Sequence, residues 1–395
     1  MKGLSKPSYT KYITRTLKRF DDRNTGFSRG AVEGDKYRLM FQNGVDNVAK
    51  KLPGKTILDH AIGAAARTPD LMFRKTAYAR NEPPAINKKY RLQTPDPIAM
   101  TKIIKNMARW IGSDLVAVTK LNPSWIYTNW GLHNVMYTNA AKEGDPIDIP
   151  PEYQNVIVMI HEMDYDHIRR SPAREGATSL AYSKMAWCAS SLSTFIRELG
   201  YGAIPCGNEL GLSIPMAVDA GLGELGRHGL LITRDFGPRI RISKVFTNLP
   251  LIADFPIDIG VQKFCEKCKL CAKHCPSRAI QDGKRTDKAW DKSNSEGLLK
   301  WPIRAMNCFE WWVKNGNGCS VCIRVCPWNK PNNLLHKFVR IFPERDLFTK
   351  LILNMDQRFG YGRQSKAKGY GSLQDPSVTK IDQTVARKGS HTNER

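Results

Sequence analysis

The stretch Cys265-Glu266-Lys267-Cys268-Lys269-Leu270-Cys271-Ala272-Lys273-His274-Cys275-Pro276, echoed by Cys308-x10-Cys319-x2-Cys322-x3-Cys326-Pro327, decides how this chain is read. Eight of its ten cysteines fall in these two runs. Thiolates two residues apart grip one cubane, while the cysteine before each proline is held away from its neighbours and reaches the other cubane. That is the ligand spacing for two 4Fe–4S clusters. Cys265, Cys268 and Cys271 are therefore paired with Cys326 for cluster 1, and Cys319 and Cys322 with Cys308 and Cys275 for cluster 2. Zinc ribbons also use Cys-x2-Cys pairs, and a disulfide framework is the other competitor. Neither needs a third cysteine at the same short step followed by Cys-Pro, so the spacing favours one-electron transfer.

A chain of 395 residues suggests two or three domains, and the cluster module takes up under a hundred of them. Some other domain must use the electrons. The remaining cysteines, Cys188 and Cys206, sit in apolar or small-residue surroundings and are expected to be buried free thiols. No run of eighteen apolar residues occurs, so no membrane span is expected. The first thirty residues are basic and polar, without an apolar core or a twin-arginine motif, and are not expected to act as an export signal. A cytoplasmic enzyme and a chain whose leader has been removed would read alike. The formal charge of +24 suits nucleic acid, an anionic membrane face or an acidic redox partner. Its lysines and arginines are spread along the whole chain without aromatic interleaving, so nucleic acid is not the expected partner.

Residues 1–105 mix short helical stretches with turns at Pro53-Gly54, Pro83-Pro84 and Pro95-Asp96-Pro97, and read as an irregular cap. From about 100 to 250 the pattern is α/β. It predicts an amphipathic helix near 99–111, a strand near 114–119 and a buried strand over Asn155–His161. A helix over Thr178–Leu199 should stop at Gly200 in the C′ position. Its spacing puts Tyr182, Ala186, Ala189, Ser193 and Ile196 on one face, so the Tyr182 phenol needs a partner or a polar cavity. Gly221-Leu222-Gly223-Glu224-Leu225-Gly226-Arg227 is glycine-rich but does not match the dinucleotide fingerprint, and is a turn or an anion cradle. Arg239, Arg241 and Ser243 share a face of an alternating strand; a buried arginine there would partner an anion or a phenolate.

Together these residues resemble one family. Arg19-Phe20 with Arg23-Asn24-Thr25, Leu199-Gly200-Tyr201 followed by Pro205 and Asn208, Ala220-Gly221-Leu222-Gly223-Glu224, and Phe236-Gly237-Pro238 through Arg241 to Thr247–Leu251 are similar to the corrinoid-dependent reductive dehalogenases, in their catalytic subunit. Both cysteine runs follow at the expected places. The resemblance implies an α+β protein in four parts. These are an N-terminal cap (1–105), a nitroreductase-like α/β cobalamin-binding core (106–255), a bacterial-ferredoxin-like domain with two 4Fe–4S clusters (256–345) and a partly mobile extension (346–395). It implies cobalamin bound base-off, in keeping with the absence of the Asp-x-His-x-x-Gly signature of histidine-ligated cobalamin proteins.

By the same resemblance Tyr182, Asn208 and Arg241 are the catalytic residues. Reductive removal of halide delivers two electrons and a proton to carbon, so a positioned acid is required. A guanidinium beside a phenol stabilises the phenolate it leaves, and an amide can orient substrate or phenol. Corrin contacts are expected at His161, Glu162 and Met163 and at Gly221, Leu222, Gly223, Gly226 and Arg227. Trp311 and Trp312 are expected to wall the pocket, with a plain core role as the equal alternative. The implied partners are a small organohalide, a low-potential electron donor and a small membrane-anchor protein, as in anaerobic organohalide respiration. Epoxyqueuosine reductase is the rival reading, since it shares the Ala-Gly-Leu-Gly turn and the Cys-Pro-Trp-Asn ending. A ferredoxin-like carrier without catalysis is a third, and it leaves some 250 residues without work.

Overall fold

Four strands form the central sheet in the order β1-β2-β6-β3: β1 (Leu115–Lys120), β2 (Asn155–Glu162), β3 (Ala203–Cys206) and β6 (Ile240–Thr247). A two-stranded hairpin of β4 (Glu224–Leu225) and β5 (Leu231–Ile232) lies between the last two in sequence. The computed structural model describes residues 3–50, 55–82, 91–93, 96–172, 175–331, 353–356 and 358–365; the mobility expected at the chain's end lies outside them.

Every pairing in the large sheet is antiparallel. The unbroken apolar run of β2, a pattern usual in parallel sheets, has a different cause here: both faces of the sheet are covered. On one face Val116, Val118, Ile157, Met159 and Val245 meet two helices, α4 (Pro97–Trp110) and α7 (Glu175–Glu198). On the other, Ala117, Val156, Val158, Ile160 and Phe246 pack with Trp125, Trp130 and α8 (Ser213–Asp219). The protein is thus a layered α+β structure.

The helices begin and end where their sequences direct. Asp96 accepts from the Ile98 N–H at 2.8 Å with Pro97 in the first turn, which starts α4. Helix α7 ends at Glu198, and Gly200 takes the left-handed conformation at φ +84° that closes it. Ala186, Ala189, Ser193 and Ile196 are fully buried, as their spacing requires, and Tyr182 is half-buried at the open end of the same face. Cys188 and Cys206 are buried free thiols.

The N-terminal part departs from the expected run of short helices. After α1 (Gly26–Val32) and α2 (Lys36–Ala49), α3 (Ile57–Thr76) is twenty residues long and lies along α7. A capping box starts it: the Thr56 hydroxyl accepts from Asp59 N and the Asp59 carboxylate from Thr56 N, both at 3.1 Å. Helix α5 (Leu132–Thr138) packs between α1 and α3, and α6 (Tyr165–Arg169) follows β2. Upstream, the Arg19 guanidinium donates to Tyr127 O at 2.6 Å, which ties the leading segment to the core.

The cysteine module carries α9 (Val261–Lys267), α10 (Leu270–Lys273), α11 (Ala305–Asn315) and α12 (Val321–Arg324). Two buried arginines join it to the core. Arg239 donates to Met163 O at 2.7 Å and pairs with Glu162 on the core side, and donates to Asn329 Oδ1 at 3.0 Å on the module side. Arg227 leaves the β4–β5 hairpin to donate to Cys265 O at 2.9 Å and to Gln281 O and Gly283 O at 3.1 Å. Among the described residues no helix is long and apolar enough to cross a membrane.

Candidate active site

Tyr182, Asn208 and Arg241 meet although they stand on different elements. The Asn208 amide donates to the Tyr182 hydroxyl at 3.3 Å, and the Arg241 guanidinium lies over the Tyr182 ring at 5.4 Å. Helix α7 supplies the phenol, the loop after β3 the amide, and β6 the cation. Burial would push the phenol upward; Arg241, the Asn208 hydrogen bond, Arg74 and Arg67 outweigh it and bring its pKa below the usual 10.0. The arrangement can release a proton and hold the phenolate left behind.

Helix α3 brings residues that the sequence reading did not single out. Arg67, Asp70 and Arg74 lie at helical spacing on its inner side. The Arg67 guanidinium stands over the Tyr182 ring at 6.0 Å, and its Nε pairs with Asp70 Oδ2 at 3.5 Å. Arg74, 2% exposed, donates from Nη2 to Glu209 Oε1 at 2.7 Å. Burial raises the Glu209 carboxyl, but the charge and hydrogen bonds of Arg74 bring it below the ordinary range. The spacing of Arg67, Asp70 and Arg74 behind the Thr56–Asp59 capping box was the available signal for α3. Glu209 carried none.

An aromatic wall adjoins the phenol. The Tyr37 hydroxyl meets His133 Nδ1 at 2.7 Å, and Phe27 stacks on His133 at 4.9 Å. Trp312 leans on Phe27 at 5.7 Å and on Phe309 at 6.2 Å, with its indole N–H buried and unpartnered among the described residues. Burial raises the Tyr37 phenol, with Tyr137 and Tyr182 adding to it, which places Tyr37 beside the site. Trp311 is half-buried on the same helix, α11.

The residues expected to contact a corrin are engaged by the protein itself. His161 is fully buried with Nε2 on Ser243 Oγ at 2.8 Å, and only its Nδ1 lacks a partner. Glu162 and Met163 O are held by Arg239, and Arg227 is committed to module carbonyls. Leu222 lies in the apolar core. A Cβ on Gly221 would stand 2.1 Å from Phe255 O, and one on Gly223 2.3 Å from Ile232 O. Gly226 is closed in by Ile232 and His228. Close chain-on-chain approach accounts for these glycines within the fold.

A cavity lies elsewhere. It measures about 340 Å³ and is bounded by Tyr9, Trp125, Ile214, Pro215, Leu225 and Ile303, among others, between the leading segment, α8 and the module. Tyr182, Asn208 and Arg241 are not among its walls; the loop from Asn208 to Leu212 leads from them to it. Ile303 also packs against the buried cluster of Cys271, Ile280, Val321 and Val325 in the module.

The thiols sort into two groups by which of them sense one another. Burial raises the Cys326 thiol, and Cys265, Cys268 and Cys271 raise it further. Cys322 is raised by burial and then by Cys308, Cys319, Cys271 and Cys275. Cys326 thus lies near the three first-run thiols, and Cys271 stands near both groups. Among the described residues no three His, Cys, Asp or Glu side chains close around a single metal ion. Buried thiols such as Cys265, pushed up to about 12, and Cys268, to about 11, ionise only against compensating positive charge. The irons of a cluster supply that charge, so the donor set fits two clusters.

Residues 264–329 match the 4Fe–4S double cluster binding domain family. Over 291 residues the chain is 38% identical to the tetrachloroethene reductive dehalogenase of Sulfurospirillum multivorans, covering 68% of this chain and 58% of that protein. A solved reductive dehalogenase, described as suggesting a mechanism for B12-dependent dehalogenation, superposes with a TM-score of 0.69 at 22% identity, over 92% of this chain and 49% of its own. The chain thus spans half to three-fifths of the length of these relatives. The epoxyqueuosine reductase of Atelocyanobacterium thalassa is more distant, at 25% identity over 272 residues.

Proposed function

For this chain, which belongs to the reductive dehalogenase family, we propose the family's reaction. Two electrons and a proton replace halogen by hydrogen in a small organohalide, and halide leaves. The observation that carries the proposal is the Tyr182 hydroxyl, half-buried, under the Arg241 cation and in the reach of the Asn208 amide. Tyr182 gives its proton to carbon, and the phenolate is stabilised by Arg241, with Arg74 and Arg67 behind it. Asn208 N–H donates to the same oxygen before and after transfer. Phe27, Tyr37 and Trp312 exclude water on one side.

Cobalamin is the redox group that the fold and relatives imply for a nitroreductase-like core. Its cobalt, when bound, supplies the two-electron reducing power at the carbon–halogen bond. Of the residues first assigned to corrin contact, His161 alone retains an unpartnered buried atom, and it stays neutral, its pKa pushed down to about 3 by burial and by Lys184. Cys265, Cys268, Cys271 and Cys326 would hold one cluster, and Cys275, Cys308, Cys319 and Cys322 the other. A low-potential donor feeds them.

The test is halide release from chlorinated and brominated aliphatic and aromatic compounds, by protein reconstituted anaerobically with cobalamin, iron and sulfide. One halide per two donor electrons is expected. No halide from any compound, with turnover of epoxyqueuosine in RNA instead, would overturn the proposal.

A further inference from the structure

The Asn208 loop is gripped by buried charges from both faces of the sheet. On one side Glu209, fully buried, accepts from Gly207 N at 2.7 Å through one carboxylate oxygen and from Arg74 at 2.7 and 3.2 Å through the other. On the other side Lys244 lies in mid-strand between apolar Ile242 and Phe246 and is also fully buried. Its ammonium donates to Gly207 O and, at 3.4 Å, to Gly211 O within the loop, and to Ser213 Oγ at 2.7 Å where the loop enters α8. Leu210, at the loop's middle, is held at φ +66°, a conformation that a side chain other than glycine adopts only under constraint.

Burying a carboxylate and two cations carries a large desolvation cost, and apolar packing would hold an ordinary loop as well. The return for that cost is position. The bond from Asn208 to Tyr182, at 3.3 Å, is near the limit of a useful hydrogen bond, so a shift of about half an ångström in the loop would break it. A room-filling cause also fixes the neighbouring backbone: a Cβ on Gly207 would stand 3.0 Å from Met185 and Tyr78.

We propose that Arg74, Glu209 and Lys244 are positioning residues: they clamp the loop from Gly207 to Ser213 so that the Asn208 amide is aimed at the Tyr182 hydroxyl. The proposal rests on the reading of Tyr182 and Asn208 as the proton-delivering pair. None of the three touches the reacting atoms.

A double-mutant cycle in the cluster- and cobalamin-loaded protein tests it. Glu209→Gln and Lys244→Met, each alone, are expected to lower turnover roughly tenfold with iron and corrinoid content unchanged, a fraction of what a positioned acid contributes. In an Asn208→Ala background neither should lower it further, because the amide they aim is gone. Full additive losses in that background would overturn the clamp and leave the Tyr182–Asn208 pair standing. Asn208→Ala at wild-type turnover would instead remove the pair itself and the clamp with it. Should Lys244→Met fail to fold, Glu209→Gln, nearly the same in shape, carries the cycle alone.

Discussion

A phenol of ordinary pKa near 10 gives up its proton slowly at neutral pH, so what matters at Tyr182 is which neighbours lower that barrier. Burial works against ionisation, and Arg241 is the largest influence in its favour, ahead of Asn208, Arg74 and Arg67. Tyr182→Phe should therefore cost between about 10² and about 10⁴ in turnover, the usual range for a lost general acid, with iron content intact. Turnover near wild type would show that Tyr182 merely packs there. The pH profile supplies an independent check. An acid must be protonated to act, so kcat/KM should fall as pH rises through the Tyr182 pKa, and that limb should lie below 10. Charged and titratable groups that face it are Arg241 on β6, Arg67 and Arg74 on α3, with Asp70 beside them, Glu209 paired with Arg74, and Tyr37 on α2. Arg241→Gln removes the foremost of these cations and should move the limb to higher pH. A limb that stays in place would assign the titration to another group.

Two residues beyond helix α12, Cys326 carries a thiol that senses the three thiols of the first run, although it belongs to the second. Cys326→Ser should therefore remove the same cluster as Cys265→Ser, leaving roughly four of roughly eight irons and the same remaining electron-spin signal. Two different residual signals would separate Cys326 from the first quartet. The same segment is held to β2 and β6 by Arg239, which is fully buried while Glu162 is 29% exposed. Arg239→Met should destabilise this joint by about 3 kcal/mol, the lower part of the range for breaking a buried pair, because Glu162 can recover some water. Denaturant unfolding followed through cluster absorbance would measure it, and an unchanged midpoint would deny Arg239 that role. Elements of this kind were legible where short-range rules govern them: cysteine spacing, the amphipathic period of α4, the glycine stop of α7 and the alternation of β6. Arg239 and Arg241 share that alternation, yet one joins two domains and the other faces a phenol. Strand periodicity assigns a face but not what lies across it. The glycines after α8 are ambiguous for a related reason, since a backbone that must approach a ligand and one that must approach Phe255 or Ile232 both demand glycine.

At the scale of the molecule, the sheet is a partition: α7 and the proton donor lie on one face, α8 and the apolar cavity on the other, and the Asn208 loop passes between them. The cysteine module meets this arrangement at the cavity, where Ile303 forms part of the wall, and no property of the sequence apart from the resemblance announced that convergence, because it is made by contacts far apart in the chain. Charge is the one global property the sequence states outright. With a formal +24 spread along its length, the protein projects a positive potential that should draw in an anionic electron donor and repel a cationic one. Exposed charges farther apart than a Debye length, about 10 Å at 0.1 M salt, cease to sense each other. Reduction of the clusters by a small acidic carrier protein should therefore slow as ionic strength rises from roughly 0.05 to roughly 0.5 M, while reduction by a cationic viologen should quicken or hold level. Stopped-flow bleaching of the cluster absorbance gives both second-order rates. If the acidic carrier shows no salt dependence, the donor docks without help from the surface charge, and the excess of lysine and arginine serves some purpose other than steering.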